Sequence, residues 1–213
     1  DLVATGLEVT QGLQNRAGGQ RLIADKATTV RFYAKSKSAG DPRVPGVTAV
    51  LFGNTEDFFL GALEPVNDRR LATVTFEPKR KDLDESFQFE LPRSWTTQGP
   101  ITLSAFVNPA GGVYEDDLSD NATEIGPITF YPSARLHVAY YNFWYAIGGT
   151  LYKPTDAEVA DSQRRMRQLY PIAEASESFQ GPGLHFTIET IFDFELAAQV
   201  ARTDQACIDR YLK

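Results

Sequence analysis

Cysteine and histidine are scarce in this sequence, and their scarcity excludes several kinds of protein. The single cysteine, Cys207, has no partner for an intrachain disulfide, so the fold is not held by disulfide bonds. The only two histidines, His137 and His185, lie 48 positions apart (185 − 137) and belong to no His-Glu-x-x-His motif. We therefore interpret them as structural residues rather than zinc ligands. Cys207 falls on the apolar side of a predicted helix, where a thiol packs as a small hydrophobic group.

Catalytic and membrane-spanning signatures are absent as well. The sequence has no Gly-x-Ser-x-Gly elbow, no phosphate-binding glycine loop and no dinucleotide fingerprint, so it predicts no catalytic and no cofactor-binding residues. Its longest apolar run, residues 137–147, is about half of the roughly 20 residues that a membrane-spanning helix needs. The formal charge of −7 disfavours nucleic acids and anionic lipids as partners.

Short segments with period-two alternation fill the chain up to residue 131. In residues 28–35, for example, Val30, Phe32 and Ala34 share one face, and Arg31, Tyr33 and Lys35 share the other. This alternation is typical of strands with one face in a core and one in water, and clusters of Gly, Pro, Asn and Asp separate the segments. About seven such strands predict an antiparallel, immunoglobulin-like β-sandwich over residues 1–131. The apolar runs cover residues 7–10, 28–35, 47–52, 71–76, 86–91, 101–107 and 128–130.

The pattern changes to strand, helix, strand, helix over residues 132–213, which predicts a smaller α/β domain. Residues 136–147 are apolar on both faces, as expected for a strand covered on both sides. Thr155 and Glu158 form a capping box that starts a helix, and Pro171 ends it after about Tyr170. A strand at 184–192 and a second helix, with Leu196, Val200, Cys207 and Tyr211 on one side, follow. Two strands make a marginal sheet, so we expect a domain cut short and a chain that is a fragment.

An acidic stretch lies in the last predicted hairpin of the sandwich. Glu115, Asp116, Asp117 and Asp120 precede Asn121, and carboxylate and amide oxygens are the ligands that Ca²⁺ prefers. The spacing does not match an EF-hand loop. The stretch therefore predicts either a calcium site or a solvated turn in which Asp and Asn side chains bond to their own backbone.

A run of aromatic residues occupies the first strand of the α/β part: Tyr140, Tyr141, Phe143, Trp144 and Tyr145. Aromatic rings on a strand that is buried on both faces belong to the core. On an exposed face they would form a stacking platform for a sugar or a peptide. We expect the first arrangement and keep the second as an alternative.

Short motifs in the first half of the chain are similar to those of known sandwiches. The opening stretch Leu7–Gln14 and the strand ending Val30-Arg31-Phe32-Tyr33-Ala34 resemble the first strands of bacterial surface sandwiches. Val107-Asn108-Pro109, followed by Val113-Tyr114-Glu115 and Asp120-Asn121, resembles the closing hairpin of the CARDB domain, a cell-adhesion-related, immunoglobulin-like module of bacteria. That pattern often has Asp where this chain has Asn108, and a second Asn where it has Ala122.

The second half resembles the segment that follows such a sandwich in secreted bacterial zinc peptidases of the zincin type. There a helix ends in Leu-Tyr-Pro, as Leu169-Tyr170-Pro171 does here. The resemblance implies that residues 132–213 begin a zincin-like domain whose zinc-binding helix lies beyond Lys213. It carries no catalytic residue over to this chain.

Two functional hypotheses follow. The first is a non-catalytic binding or positioning module of a secreted or cell-surface bacterial protein, in front of a zinc metallopeptidase and with a protein or a surface polymer as partner. The second is a structural surface or filament-forming protein that self-associates through the open edges of its sandwich. Both place the chain outside the cell or on its surface, with a leader that has been removed or precedes the fragment.

Overall fold

The computed structural model describes residues 1–12, 21–38, 43–147, 150–173 and 183–192. The chain divides into two compact units, Asp1–Ser133 and Ala134–Lys213. No helix in the described residues is both long and apolar enough to cross a membrane.

The first unit consists of strands in two sheets. The first sheet has the order β1-β3-β7-β4, with β8 also paired to β3, and the second sheet has the order β2-β10-β9-β5-β6. Most pairs are antiparallel; β2 runs parallel to β10, and β3 meets β7 in parallel at one pair of residues. The strands are β1 (Leu2–Thr10), β2 (Leu22–Ile23), β3 (Thr29–Ser36), β4 (Arg43–Val47), β5 (Ala49–Asn54), β6 (Phe59–Leu63), β7 (Ala72–Thr75), β8 (Phe87–Glu90), β9 (Gly99–Val107) and β10 (Ala122–Tyr131).

The core lies between the two sheets. Phe32 and Phe87 of the first sheet stack with ring centroids 5.6 Å apart, and Leu51, Leu103 and Phe130 of the second sheet are fully buried in the same cluster. Each buried apolar side chain of this size contributes about 1.5–3 kcal/mol. The predicted β-sandwich is confirmed, and so is the inward face of residues 28–35.

Three strands of the sandwich were not predicted from the sequence: the two-residue β2, and the longer β4 and β6. β4 contains Pro45 and Gly46 and has an irregular register between Val44 and Val47. β6, with the sequence Phe-Leu-Gly-Ala-Leu, has no polar residue to alternate with. Both strands lie at sheet edges, where the burial pattern that produces period-two alternation is weakest.

The second unit has a three-stranded sheet and a helix. Its elements are β11 (Arg135–Ile147), β12 (Thr150–Tyr152), α1 (Asp156–Leu169) and β13 (Gly183–Phe192), in the sheet order β12-β11-β13 with β11 and β13 parallel. The predicted strand–helix–strand order is confirmed. The second predicted helix, with Leu196, Val200, Cys207 and Tyr211, lies outside the described residues.

The start of α1 has the predicted capping box. The backbone N–H of Glu158 donates to Thr155 Oγ1, and the backbone N–H of Thr155 donates to Glu158 Oε2 at 2.8 Å. The helix ends at Leu169, before Tyr170 and Pro171, as expected. The spacing of Val159, Met166, Leu169 and Tyr170 predicts an inward stripe on α1. This prediction is wrong at the C-terminal end, because Leu169 and Tyr170 are 55% and 45% exposed.

The expectation that β11 is buried on both faces is also wrong. Tyr140 is half-buried, with its hydroxyl 2.6 Å from Ser162 Oγ of α1. On the other face, Tyr141, Phe143 and Tyr145 are exposed, and the Tyr145 ring stacks on Tyr152 of β12 at 5.3 Å. The pattern does not distinguish a strand covered on one side from one covered on both, because aromatic rings occupy both faces of this strand.

Candidate binding surface

Most strand edges of the sandwich are protected against a further strand. The outer edge of β1 is covered along its first residues, since the backbone N–H of Leu2 donates to Glu115 Oε2 at 2.8 Å and that of Ala4 to the Asp120 carbonyl at 2.9 Å. The outer edge of β8 is bonded to Val66 and Asn67. β4 carries a proline and an irregular register, and β2 has only two residues. These are the usual ways in which proteins prevent edge-to-edge association.

The outer edge of β6 is not covered in this way. It ends the second sheet, and among the described residues no strand or loop pairs with it. Between Phe59 and Leu63 it contains no charged residue and no proline, and Phe59 and Ala62 are exposed. Its pairing with β5 has one irregularity, between Gly53 and Asn54. An apolar strand with an unpaired edge is a template for another extended segment.

An aromatic patch adjoins this edge on the outer face of the second sheet. We define it as Phe52 of β5, Phe59 of β6 and Phe106 of β9. The ring of Phe52 lies 6.1 Å from that of Phe59 and 5.7 Å from that of Phe106, centroid to centroid. Phe59 is 64% exposed, whereas large apolar side chains of this kind are normally inside. Contiguous exposed aromatic rings are typical of interaction surfaces.

Trp95 holds β6 in place from the inner side of the sheet. Its ring is buried and packs against the paired residues Gly53 of β5 and Gly61 of β6. A Cβ at Gly53 would lie 2.5 Å from Trp95 Cζ3, so only glycine allows this approach. The edge strand therefore rests on a rigid, packed base, which lowers the entropy cost of ordering it in a complex.

An open cleft of about 520 Å³ follows the C-terminal end of β6, lined by Glu64, Pro65, Val66, Asn67, Arg69 and Arg70. Arg69 and Arg70 both adopt positive φ, 51° and 62°, which costs a non-glycine residue about 1–3 kcal/mol. The Arg70 guanidinium pairs with Glu64, and Arg69 is 84% exposed. Two arginines, each paired with a carboxylate (Arg69 with Asp68 and Arg70 with Glu64), thus lie beside the cleft on a strained backbone.

The turn before β6 carries the opposite charge. Glu56 and Asp57 are exposed at its tip, followed by Phe58, which is 71% exposed. The turn is fixed by Thr55, whose N–H donates to the Phe58 carbonyl at 2.8 Å while its hydroxyl accepts from the Phe58 N–H at 3.0 Å. β6 therefore has an acidic end with a protruding ring and an opposite end with a cleft, where two arginines are paired with Glu64 and Asp68.

The acidic stretch predicted as a calcium site lies in the loop between β9 and β10, residues 108–121, which we call the acidic loop. Glu115 faces inward: besides Leu2 N–H, its carboxylate accepts from the side-chain amides of Asn108 and Asn121, which are 4% and 5% exposed. Asp116 is exposed, and its backbone N–H donates to Asp1 Oδ1 at 2.8 Å. Glu115 is therefore a structural acceptor that joins the loop to β1.

The carboxylates of Asp117 and Asp120 both lie close to the side-chain ammonium of Lys37. Lys37 Nζ lies 2.7 Å from Asp120 Oδ2, 3.6 Å from Asp117 Oδ2 and 3.8 Å from Asp1 Oδ2. The hydrogen bond to Asp120 raises the pKa of Lys37 above its usual 10.5, so the ammonium stays charged at neutral pH. Hydrogen bonds from Ser119 lower the pKa of Asp117 below 3.8, with Lys37 contributing less.

The calcium hypothesis stays a prediction. Asp120 Oδ1 and Asn121 Oδ1 are buried in the acidic loop and accept no hydrogen bond. Against this, no group of three or more His, Cys, Asp and Glu side chains in the described part of the chain is arranged to hold a metal ion. Calcium also accepts amide and carbonyl oxygens, so a direct measurement has to decide.

The remaining sequence candidates lie in the second unit. His137 and His185 are register neighbours on β11 and β13, a proximity that their separation in sequence did not suggest. The exposed rings of Tyr141, Phe143 and Tyr145 keep the stacking-platform interpretation open as a prediction. Cys207 lies outside the described residues.

No family model matches the sequence, and no curated protein matches it. Among solved structures, the chain is similar to the crystal structure of the CARDB domain of the PF1109 protein from Pyrococcus furiosus, which is in complex with di-metal ions. The match has 15% identity and a TM-score of 0.36, and it covers 62% of this chain and 94% of that chain.

Proposed function

We propose that the chain is a non-catalytic binding module that adds an extended segment of a protein partner to the outer edge of β6. The observation that carries the proposal is the state of the β6 edge, which is apolar and unpaired in the described residues. By contrast, β1 is bonded along its first residues, β8 is bonded to Asn67, β4 contains a proline and β2 is short. In strand addition, main-chain hydrogen bonds supply affinity, and pockets for alternate side chains supply specificity.

The aromatic patch and the cleft supply the side-chain contacts that this mode of binding needs. Phe52, Phe59 and Phe106 lie beside the edge on one face of the sheet, and large aromatic side chains are the usual anchors of protein interfaces. The cleft next to Arg69 and Arg70 offers space at one end of the strand, beside two arginine–carboxylate pairs. Selectivity would come from these two features, since backbone pairing alone accepts any sequence.

The test is selection of peptides from a displayed random library on the immobilised whole chain. We expect selected peptides to bind the unmodified chain and to lose affinity for Ala62→Lys, because a lysine in the middle of an edge strand opposes strand addition. Ala110→Lys, the same change in an exposed turn, is the control and should bind normally. Peptides that bind both variants equally well, or no binding peptide at all, would refute the proposal.

We also propose an extracellular or cell-surface setting and a link to a zinc metallopeptidase. Both rest on the sequence resemblance, in residues 7–14 and 164–171 respectively. Immunoblots of medium, surface and cytoplasmic fractions from cells that carry the native gene test the setting. Detection in the cytoplasmic fraction alone would contradict it.

A further inference from the structure

We infer that the acidic loop binds a calcium ion in exchange for the Lys37 ammonium, with oxygens of Asp117, Asp120 and Asn121 as ligands. The inference goes beyond the proposed function, because it concerns the loop beside β1 and not the edge of β6. It follows from three features of the loop: carboxylates that converge on one point, buried oxygens without a hydrogen bond, and an excess of negative charge.

Three carboxylates converge on the ammonium of Lys37. Asp120 Oδ2 lies 2.7 Å, Asp117 Oδ2 lies 3.6 Å and Asp1 Oδ2 lies 3.8 Å from Lys37 Nζ. The Lys37 side chain is 36% exposed and has a long, flexible stem, so its ammonium can move into water when another cation takes its place. The fold has therefore already gathered acidic oxygens from the loop and from the residue before β1 around one cation.

Two further oxygens of the loop point to a ligand. Asp120 Oδ1 and Asn121 Oδ1 are buried, and neither accepts a hydrogen bond from the described residues. Asn121 is 5% exposed, and its Nδ2 donates to Glu115 Oε1 at 2.9 Å, which fixes the amide inside the loop. A buried oxygen without a donor costs about 1–3 kcal/mol, and a bound cation removes this cost. Carboxylate and amide oxygens together are the ligands that calcium prefers.

The charge of the loop also fits a divalent cation. Lys37 supplies one positive charge to a group of five carboxylates, one before β1 and four in the loop: Asp1, Glu115, Asp116, Asp117 and Asp120. A divalent ion compensates more of this excess than an ammonium does. Calcium also accepts an irregular set of oxygens, whereas magnesium demands near-ideal octahedral geometry, so a loop of this kind favours calcium.

The described residues show the loop in its lysine-bound form. No group of three or more His, Cys, Asp and Glu side chains among them is spaced for a metal ion, and the oxygens surround an ammonium instead. Calcium–oxygen distances are about 2.3–2.6 Å, shorter than each of the three distances to Lys37 Nζ. Binding therefore draws the carboxylates inward as the lysine leaves. Since the Ala4 N–H donates to the Asp120 carbonyl, the ion also fixes the cover of β1.

Equilibrium dialysis of the whole chain against calcium chloride, at constant ionic strength, tests the inference. We expect one site with a Kd of about 10⁻⁴–10⁻³ M, the weakest class of protein calcium sites. Asp120→Asn should raise this Kd by about tenfold or more, and Lys37→Gln should lower it by about threefold or more, because the competing charge is gone. Asp116→Asn removes the same charge from an exposed position of the same loop, and as the matched control it should change the Kd by less than about threefold.

The exchange has a readout of its own at Lys37. We expect the NMR signals of its Cε and Nζ to shift as calcium saturates the site, and not to shift with sodium chloride of the same ionic strength. Circular dichroism shows which variants are folded, and Lys37→Gln tests the site without removing any ligand.

Three results would overturn the inference. The first is no calcium uptake by either the unmodified chain or Lys37→Gln. The second is equal weakening by Asp116→Asn and Asp120→Asn, which would show diffuse attraction to an acidic surface. The third is binding that leaves the Lys37 signals in place. Each of them leaves the proposed function intact, because peptide binding at β6 is measured without calcium.

Discussion

At the scale of single residues, Glu115 has a structural role that its place in an acidic stretch conceals. Its carboxylate accepts from the start of β1 and from two buried amides, Asn108 and Asn121. We expect Glu115→Ala to lower the free energy of unfolding by about 1–3 kcal/mol, since buried donors would be left without an acceptor. Urea denaturation measures the loss. Asp116→Ala, at an exposed neighbour, is the control and should stay within about 0.5 kcal/mol of the unmodified chain.

Asp117 provides a test of the acidic loop by pH. Its lowered pKa means that the bonds from Ser119 and Lys37 stabilise the folded loop above the unfolded pKa and are lost as pH falls through the folded pKa. We expect its carboxyl NMR signal to titrate below 3.8. Because the hydroxyl and the N–H of Ser119 make the largest contribution, Ser119→Ala should raise the midpoint more than Lys37→Gln does. Ser104→Ala, on another strand, should leave it unchanged, and an unchanged midpoint in Ser119→Ala would contradict this explanation.

The calcium hypothesis predicts that removing the charge of Lys37 changes the affinity of the acidic loop for calcium. If calcium binds at Asp117 and Asp120, it competes with the Lys37 ammonium for the same carboxylates. Calorimetric titration with calcium chloride should then show tighter binding in Lys37→Gln and loss of binding in Asp120→Asn. Absence of binding heat in both the unmodified chain and Lys37→Gln would leave the solvated turn as the explanation.

At the scale of elements, the contact between Trp95 and the β5–β6 pair is the most constrained feature of the second sheet. We expect Gly53→Ala to cost about 1–3 kcal/mol, because the added methyl group overlaps the buried indole and forces one of the two to move. Thermal unfolding measures the effect. Gly112→Ala, where an added Cβ meets nothing closer than 3.8 Å, is the matched control.

The elements that could be predicted from the sequence are those in which buried and exposed residues alternate regularly, or whose ends are marked by specific side chains. β3 alternates because Val30, Phe32 and Ala34 face the core, and the start of α1 is marked by the side chains of Thr155 and Glu158 that make its first bonds. β6 could not be found in this way, because the residues on both of its faces are apolar and the sequence therefore shows no alternation. Its composition did contain the useful signal: a run without charge or proline next to an acidic turn.

The functional residues were harder to predict than the fold. The acidic stretch drew attention by composition, yet the register of β1 against the acidic loop, which decides what Glu115 does, depends on contacts more than a hundred residues apart. Lys37 belongs to that cluster and gave no local signal. The cleft beside β6 is formed by a backbone turn at Arg69 and Arg70 whose positive φ values are unusual for arginine, so propensity argues against it.

At the scale of the whole molecule, the distribution of protected and unprotected edges decides between the two functional hypotheses. A filament requires two complementary surfaces on each subunit, while the apolar, unpaired edge of β6 in the described sandwich provides one surface. The arrangement favours the proposed binding module. Long assemblies in the electron microscope at high concentration, sensitive to Ala62→Lys, would instead favour the structural protein.

Trp95 has a practical consequence for all of these experiments. The sequence has two tryptophans, Trp95 and Trp144, so Trp144→Phe leaves a single indole, which touches β5 and β6 from beneath. Any strand that docks at the edge stiffens the backbone against which this ring rests. The molecule therefore carries its own optical probe, and occupancy of the edge can be followed through ultraviolet emission without attaching a dye.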